Sequence, residues 1–414
     1  MWNEKKAQLN KDIYKVMSCC LAFASLENSI LASESFSSTM AIEKNMTAAN
    51  STHDCGSVVV NDAKETRYSR YSYISQHLEK LNDESISALL EQGTSLHSGW
   101  GTSVKLEIGG VPIFVKKVPL NEIEGKPENI RSTENLFGIP LYYQYGVGSG
   151  GFSVWRELSA HIMSTEWVLS SENENLPLMY HWRIINNFDE KSPLDEEELK
   201  NYVKYWGDSS AIGERFRANH SASAYVALFI EYIPDTLNSW LSKQLSKGDG
   251  SIDKAIEMVE RNLNETIAFI NSKGMLHFDA HFHNILTDGE QLFFSDFGLA
   301  TSLQFSLSQE EMKFFQNHQN YDRCYVVMTL TDWIISRLFG KDRCDEVLQE
   351  YADGKTPLLL PAALTPYLSS IVKRYAPITL KMNKFFEALR EKTKQEPYPA
   401  DELDQLLIEA GLTF

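Results

Sequence analysis

Cysteine is scarce and unpaired in this chain. The five thiols among 414 residues, Cys19, Cys20, Cys55, Cys324 and Cys344, are odd in number and show no zinc-type spacing, which argues against a disulfide framework and a structural zinc site. A reducing cytoplasm fits this pattern best, while export or delivery to another cell stays open. Long apolar runs are missing too. No stretch of about 18 apolar residues occurs, so no membrane-spanning helix is expected. Basic charge is in deficit, with 39 Lys and Arg against 56 Asp and Glu for a net charge of −17. Nucleic acid is therefore not an expected partner, although a local basic cleft could still hold phosphates. The 43% hydrophobic content suffices for one large two-part core or two ordinary domains.

Residues 1 to 62 read as a flexible extension. Val16 to Ala24 is too short and too weakly apolar for a secretory signal, and Ser33 to Ser57 is rich in Ser, Thr, Ala and Asn. Helical spacing begins between Arg67 and Leu90, at Ile74, Leu78, Leu81, Ile86, Leu89 and Leu90. A hairpin follows. Val104, Leu106 and Ile108 alternate, Gly109-Gly110 turns the chain, and Val111, Ile113 and Val115 return, placing Lys116 on the face of Phe114 and Lys117 on the other. Gly99 and Gly101 would let a backbone approach phosphate oxygens closely.

The stretch 119–151 is too long for an ordinary connection, and its glycine clusters point to a mobile cover or a partner surface. A helix then carries Glu157 and an apolar stripe of Leu158, Ile162, Thr165 and Val168 or Leu169. Leu178 to Ile185 reads as a strand. Leu194 to Trp206 reads as a helix whose acidic first turn, Asp195 to Glu198, suits the positive end of its dipole. A buried strand runs through Ile230 and Glu231 towards Pro234. Ser251 to Lys273 is amphipathic through Ile256, Val259, Leu263, Ile267 and Ile270, with Ser251 as cap and Gly274 as stop. Residues 347–414 read as helical, punctuated by Pro357, Pro361, Pro366 and Pro377.

The chemistry concentrates between His277 and Ala300, H-F-D-A-H-F-H-N-I-L-T-D-G-E-Q-L-F-F-S-D-F-G-L-A. Asp279 can accept a hydrogen bond from a hydroxyl, and Asn284 and Asp296 supply hard oxygens of the kind magnesium prefers. Asp288-Gly289 between them signals a hairpin. A zinc site at His277, His281 and His283 is the alternative, but it leaves Asp296 and Lys116 without a role.

This stretch resembles the catalytic loop and D-F-G of the protein-kinase-like superfamily, which includes aminoglycoside and choline kinases. I-F-V-K at Lys116 is similar to that superfamily's V-A-I-K. With P-E-N-I-R-S-T-E-N-L-F and Y-Q-Y-G-V-G-S, the chain also looks like bacterial proteins called protein kinase family proteins. The resemblance implies an α+β, two-lobed fold, with a small antiparallel-sheet N-lobe over 63–234 and a mostly helical C-lobe over 235–414. It implies ATP and Mg2+, with transfer of the γ-phosphate to a hydroxyl. Asp279 would orient the acceptor, Asn284 and Asp296 would hold metal, and Glu157, with Glu134 and Glu166 as rivals, would fix Lys116 over the phosphates.

Gly99 and Gly101 would cover the phosphates, Ile230 would back the adenine, and the backbone of Glu231 and Ile233 would face its edge. His281 would touch the γ-phosphate and His277 would be structural. Asp322, with Asp332 as rival, would hold the loop's backbone. Phe114 stands where alanine is usual, Val104 replaces the third glycine, Phe278 replaces an arginine that reads activation-loop phosphate, and no A-P-E follows. The acceptor implied first is a Ser/Thr protein side chain. A small-molecule hydroxyl and a nucleotide-binding pseudokinase scaffold are the alternatives. Oligomeric state is not legible.

Overall fold

The computed structural model describes residues 59–98, 101–186, 194–248 and 250–412. Contacts divide the chain into two compact units, residues 1–77 and 78–414. Most of the expected extension and the signal-like run lie outside the described residues, but 59–62 already belong to helix α1 (Val59–Glu79). All that follows concerns the second unit.

Helix α2 (Asp83–Gln92) is capped by Asn82, whose Oδ1 accepts from the Ser85 amide at 2.9 Å. Next come β1 (Thr94–Ser98), β2 (Gly101–Ile108) and β3 (Val111–Leu120). Gly109 and Gly110, at φ 58° and 81°, make the two-residue left-handed turn that suits the twist of a hairpin. Val104 pairs with Val115, Leu106 with Ile113 and Ile108 with Val111, the register that the alternation requires.

After a long connection come α3 (Val154–Leu169), β4 (Met179–Asn186), α4 (Glu196–Tyr205), α5 (Ser210–His220) and β5 (Ala224–Glu231). The five strands form one antiparallel sheet in the order β1-β2-β3-β5-β4. Phe114, Val118 and Leu120 of β3 join Val226, Leu228 and Ile230 of β5 against Val154, Trp155 and Leu158 of α3. Strand alternation therefore turns one sheet face onto this helix. Helix α3 is buried on most sides, and Val168 closes its stripe while Leu169 is exposed.

The remaining elements are mostly helical. A short β6 (Asp235–Thr236) leads into α6 (Leu237–Lys247), α7 (Ser251–Ser272) and β7 (Met275–Leu276). The hairpin β8 (Ile285–Thr287) and β9 (Leu292–Phe294) follows, then β10 (Thr301–Ser302), α8 (Gln309–Asn317), α9 (Tyr321–Phe339), α10 (Cys344–Ala352), α11 (Pro366–Glu391) and α12 (Ala400–Glu409). The protein is thus mixed α/β with a small antiparallel sheet. No helix among the described residues is long and apolar enough to cross a membrane.

Four local expectations need correction. Ser251 is the first helical residue of α7 and not its cap: Gly250 precedes it at φ 78°, and the Ser251 hydroxyl donates to Gln244 O. Pro377 does not punctuate α11 but lies inside it, where buried Tyr375, Ala376 and Ile378 hold the turn in place. The β8–β9 connection spans four residues, with Asp288 Oδ1 accepting from the amides of Glu290 and Gln291. The stretch 119–151, expected as a mobile cover or partner surface, is packed in its second part, where Tyr143, Gln144, Tyr145 and Val147 are buried, while residues 125–128 are exposed.

Candidate functional site

Lys116 occupies the position between Phe114 and Val118 on the sheet face turned to α3. Alternation therefore aims it at that helix, and its Nζ lies 2.6 Å from Glu157 Oε1. The same Nζ donates to Asp296 Oδ1 at 2.8 Å. One ammonium thus ties β3, α3 and the D-F-G turn together. Burial alone would favour neutral lysine, but Asp296 and Glu157 reverse this and raise its pKa. Asp296 answers in kind. Burial would raise its carboxyl, yet Lys116 and the Gly298 amide hold it below the usual range. The Asp296 backbone sits at φ 59°, a left-handed conformation that ordinary residues adopt only where the surroundings impose it.

The loop before the β8–β9 hairpin is moored from beneath. Asp322, near the start of α9, accepts the amides of His277 at 2.7 Å and Phe278 at 2.9 Å, and also the Asn271 side chain at 2.9 Å. Asp332 is not its rival, since it pairs with Asn383 in another part of the helical region. Phe278, at φ 63° and fully buried, stacks on Tyr321 at 4.5 Å and on Phe314 at 5.8 Å. His277 is buried as a structural residue, with Nε2 3.0 Å from Ser295 O and its ring against Phe297.

Above that floor stand Asp279, Asn284 and His281. Asn284 Nδ2 donates to the backbone oxygen of Asp279 and to its Oδ2, each at 3.0 Å. That orients the amide so that Asn284 Oδ1 is free of these bonds, as is Oδ2 of Asp296. Two such hard oxygens are the donors a small divalent cation would take. The Asp279 carboxyl is pushed up to about 7, by burial first and then by the charge of Asp296.

His281 Nδ1 accepts the amides of His283 and Asn284, so the ring proton sits on Nε2, 3.8 Å from Asp279 Oδ2. Burial lowers its pKa and favours that neutral form. Among the described residues, no cluster of three His, Cys, Asp or Glu side chains converges on a metal position. The zinc alternative is further weakened by His277, which is committed below the loop.

The other anticipated residues fall less closely around this centre. Gly99 lies outside the described residues, and Gly101 opens β2 opposite Ser98. Ile230 pairs with Phe114 across β5 and β3, and the two pack in the same cluster. The Glu231 amide is already given to Leu178 O at 2.8 Å, and its carboxylate accepts the Leu178 amide at 3.1 Å. These bonds occupy the Glu231 amide and carboxylate. Ile233 follows half-buried beyond the strand's end. Neither Glu134 nor Glu166 pairs with Lys116.

One component escaped sequence reasoning. The segment 140–152, between β3 and α3, lies across the site. A Cβ at Gly146 would stand 2.4 Å from Asp279 Oδ1, and one at Gly151 2.3 Å from Gly298 O. Gln144 donates its side-chain amide to Leu299 O. The signal was present in G-V-G-S-G-G, whose glycines serve close approach where mobility was expected.

No family model matches this chain, and no curated protein matches it. The site therefore rests on its own geometry.

Proposed function

We propose that the chain is an ATP- and Mg2+-dependent phosphotransferase that moves the γ-phosphoryl group to a hydroxyl. On this proposal its sheet-bearing part, 63–234, and its helical part, 235–414, act as the two lobes of a protein-kinase-like fold. One observation carries it: Lys116 Nζ lies between Glu157 Oε1 and Asp296 Oδ1, beside a loop that presents Asp279 and Asn284. A solvated surface lysine would not be held by two acids from distant segments.

Each group then has a task. Lys116 has three N–H donors, of which two face carboxylates, leaving one for a phosphate oxygen. Glu157 keeps the lysine in place. A metal held by Asn284 and Asp296 would, when bound, neutralise charge on the phosphates. Asp279 accepts the hydrogen bond of the incoming hydroxyl and takes its proton as the oxygen bonds to phosphorus and the bond to ADP breaks. A carboxyl held near 7 is matched to such an exchange at neutral pH. Neutral His281 carries its Nε2–H 3.8 Å from Asp279 Oδ2, where it would donate to a terminal phosphate oxygen.

The sequence resemblance puts a Ser/Thr protein side chain first as acceptor, and His281 with the absent A-P-E brings a small-molecule hydroxyl in second. The test is release of ADP and transfer of γ-labelled phosphate in the presence of Mg2+, wild type against Asp279→Ala. Loss in the variant with nucleotide binding kept is the expected result. Equal turnover in both would remove Asp279 from the chemistry, and ATP binding without any turnover would favour the scaffold.

A further inference from the structure

If Lys116 serves phosphate as proposed, the helix that carries Glu157 must meet it at one rotation and one height. Helix α3 is fastened on a second side by the residue before Glu157. Arg156 Nη2 lies 2.6 Å from Glu311 Oε1 on α8, and Arg156 Nε donates to Thr133 O at 2.7 Å. The two side chains are 4% and 7% exposed, and the guanidinium lies over the rings of Phe152 and Phe305. Consecutive helix residues point about 100° apart, so Arg156 and Glu157 hold one turn of α3 from two directions.

Glu311 is itself fixed. Its Oε2 accepts the Ser308 amide at 2.9 Å, and Ser308 Oγ accepts the Glu311 amide at 3.2 Å, so the carboxylate closes the first turn of α8 while it faces Arg156. Thr133 Oγ1 accepts the Ser306 amide at 2.8 Å, which joins the same stretch to the connection before α3. Residues 305–311 follow Asp296 in the chain, and a Cβ at Gly298 would stand 3.6 Å from Glu157 Oε2. The helix with Glu157 and the chain after Asp296 are therefore tied at two points, once through Lys116 and once through Arg156.

Stability alone does not account for a buried ion pair, because well-packed apolar side chains in its place often do as well or better. Burial works against the Arg156 charge and lowers its pKa, with Glu311 opposing. What apolar contact lacks is direction. A planar guanidinium aims its N–H groups at fixed angles, here at one carboxylate and one carbonyl. We infer that Arg156 and Glu311 are positioning residues, whose directed pair sets α3 against the chain after Asp296 and so brings Glu157 and Asp296 together on Lys116. Both act through Glu157 and not on the nucleotide.

The test uses the full chain with ATP and Mg2+ and reads nucleotide affinity, ADP release and melting temperature. Glu311→Gln leaves Arg156 buried opposite a neutral amide and should lower all three. Arg156→Met with Glu311→Leu leaves no charge buried, so its melting temperature should return towards wild type while nucleotide affinity stays about tenfold down. Placed in Glu157→Gln, the same apolar pair should cost no further affinity, because the residue through which it acts is already gone. Arg156→Lys keeps a buried cation but not the planar fork, and should lose affinity in the same way.

Affinity recovered together with melting temperature in the apolar pair, or a full further loss in Glu157→Gln, would reduce the pair to a structural contact and leave phosphotransfer standing. If the apolar pair fails to fold, wild-type affinity in Arg156→Lys overturns the inference. Absence of ADP release in wild type, indistinguishable from Asp279→Ala, would instead bring down phosphotransfer itself and this inference with it.

Discussion

At the residue scale, the ion pair of Lys116 with Glu157 shows how a single charge acquires meaning from its neighbours. Removing Lys116 leaves two acids with no cation between them, whereas removing Glu157 leaves Lys116 to Asp296 alone, so each loss changes what the other group meets. Lys116→Met and Glu157→Gln should therefore be strongly non-additive in nucleotide affinity and in stability, and a double-mutant cycle measures the coupling. Independent losses would mean that the two act separately. Lys394 offers a second test. Its ammonium lies 3.4 Å from the ring centre of Tyr205 and bonds Leu389 O at 2.7 Å, yet burial first, and Arg390 second, lower it to about 7. Between about 7 and the ordinary lysine value of 10.5, the unfolded chain binds a proton that the folded chain lacks, so stability should rise with pH across that window. Chemical denaturation at several pH values should show the slope in wild type and a flatter one in Lys394→Met. At this scale Asp279, Asn284 and Asp296 were legible from residue type and spacing, while Lys116 and Glu157 were legible only through the kinase resemblance; the structure brings the five together. Gly146 was not legible, because what it avoids is a side chain far away in sequence.

At the element scale, the loop before β8 keeps its shape through a helix and not through its own strands. Asp322 accepts three donors, and Asp322→Ala would strand them at about 1–3 kcal/mol each. The expected outcome is a lower melting temperature together with loss of phosphate transfer, whereas Asp332→Ala should affect stability alone. If Asp322→Ala folds and turns over normally, the mooring is not needed. Periodicity made most elements legible: the β2–β3 hairpin, α3 and α7 follow directly from where their apolar residues recur. Their ends were less secure. Gly250 took the cap expected of Ser251, and packing around Tyr375 and Ile378 kept Pro377 inside a helix that local rules would break. The second part of 119–151 read as loose because its order comes from Tyr202, Tyr205, Arg215 and His318, partners that no local pattern reveals.

At the scale of the whole molecule, the candidate site joins stretches remote in sequence: β3 supplies Lys116, α3 supplies Glu157, and the segments after α7 supply Asp279, Asn284 and Asp296. A ligand held by all of them should bind the folded chain and not the unfolded one, and so stabilise it by mass action. At about a hundredfold excess over Kd that linkage is worth about 2.7 kcal/mol. ATP with Mg2+ should therefore raise the melting temperature. If Asn284 and Asp296 hold the metal, part of that rise should disappear when Mg2+ is chelated, and Asp296→Asn should behave with Mg2+ as wild type does without it. Asp296→Asn also loses a charge facing Lys116, so Lys116→Met is the control: it should weaken the shift with and without Mg2+ alike. A wild-type shift unaffected by chelation would show that nucleotide binds without these two oxygens, and would send the search for the metal elsewhere on the chain.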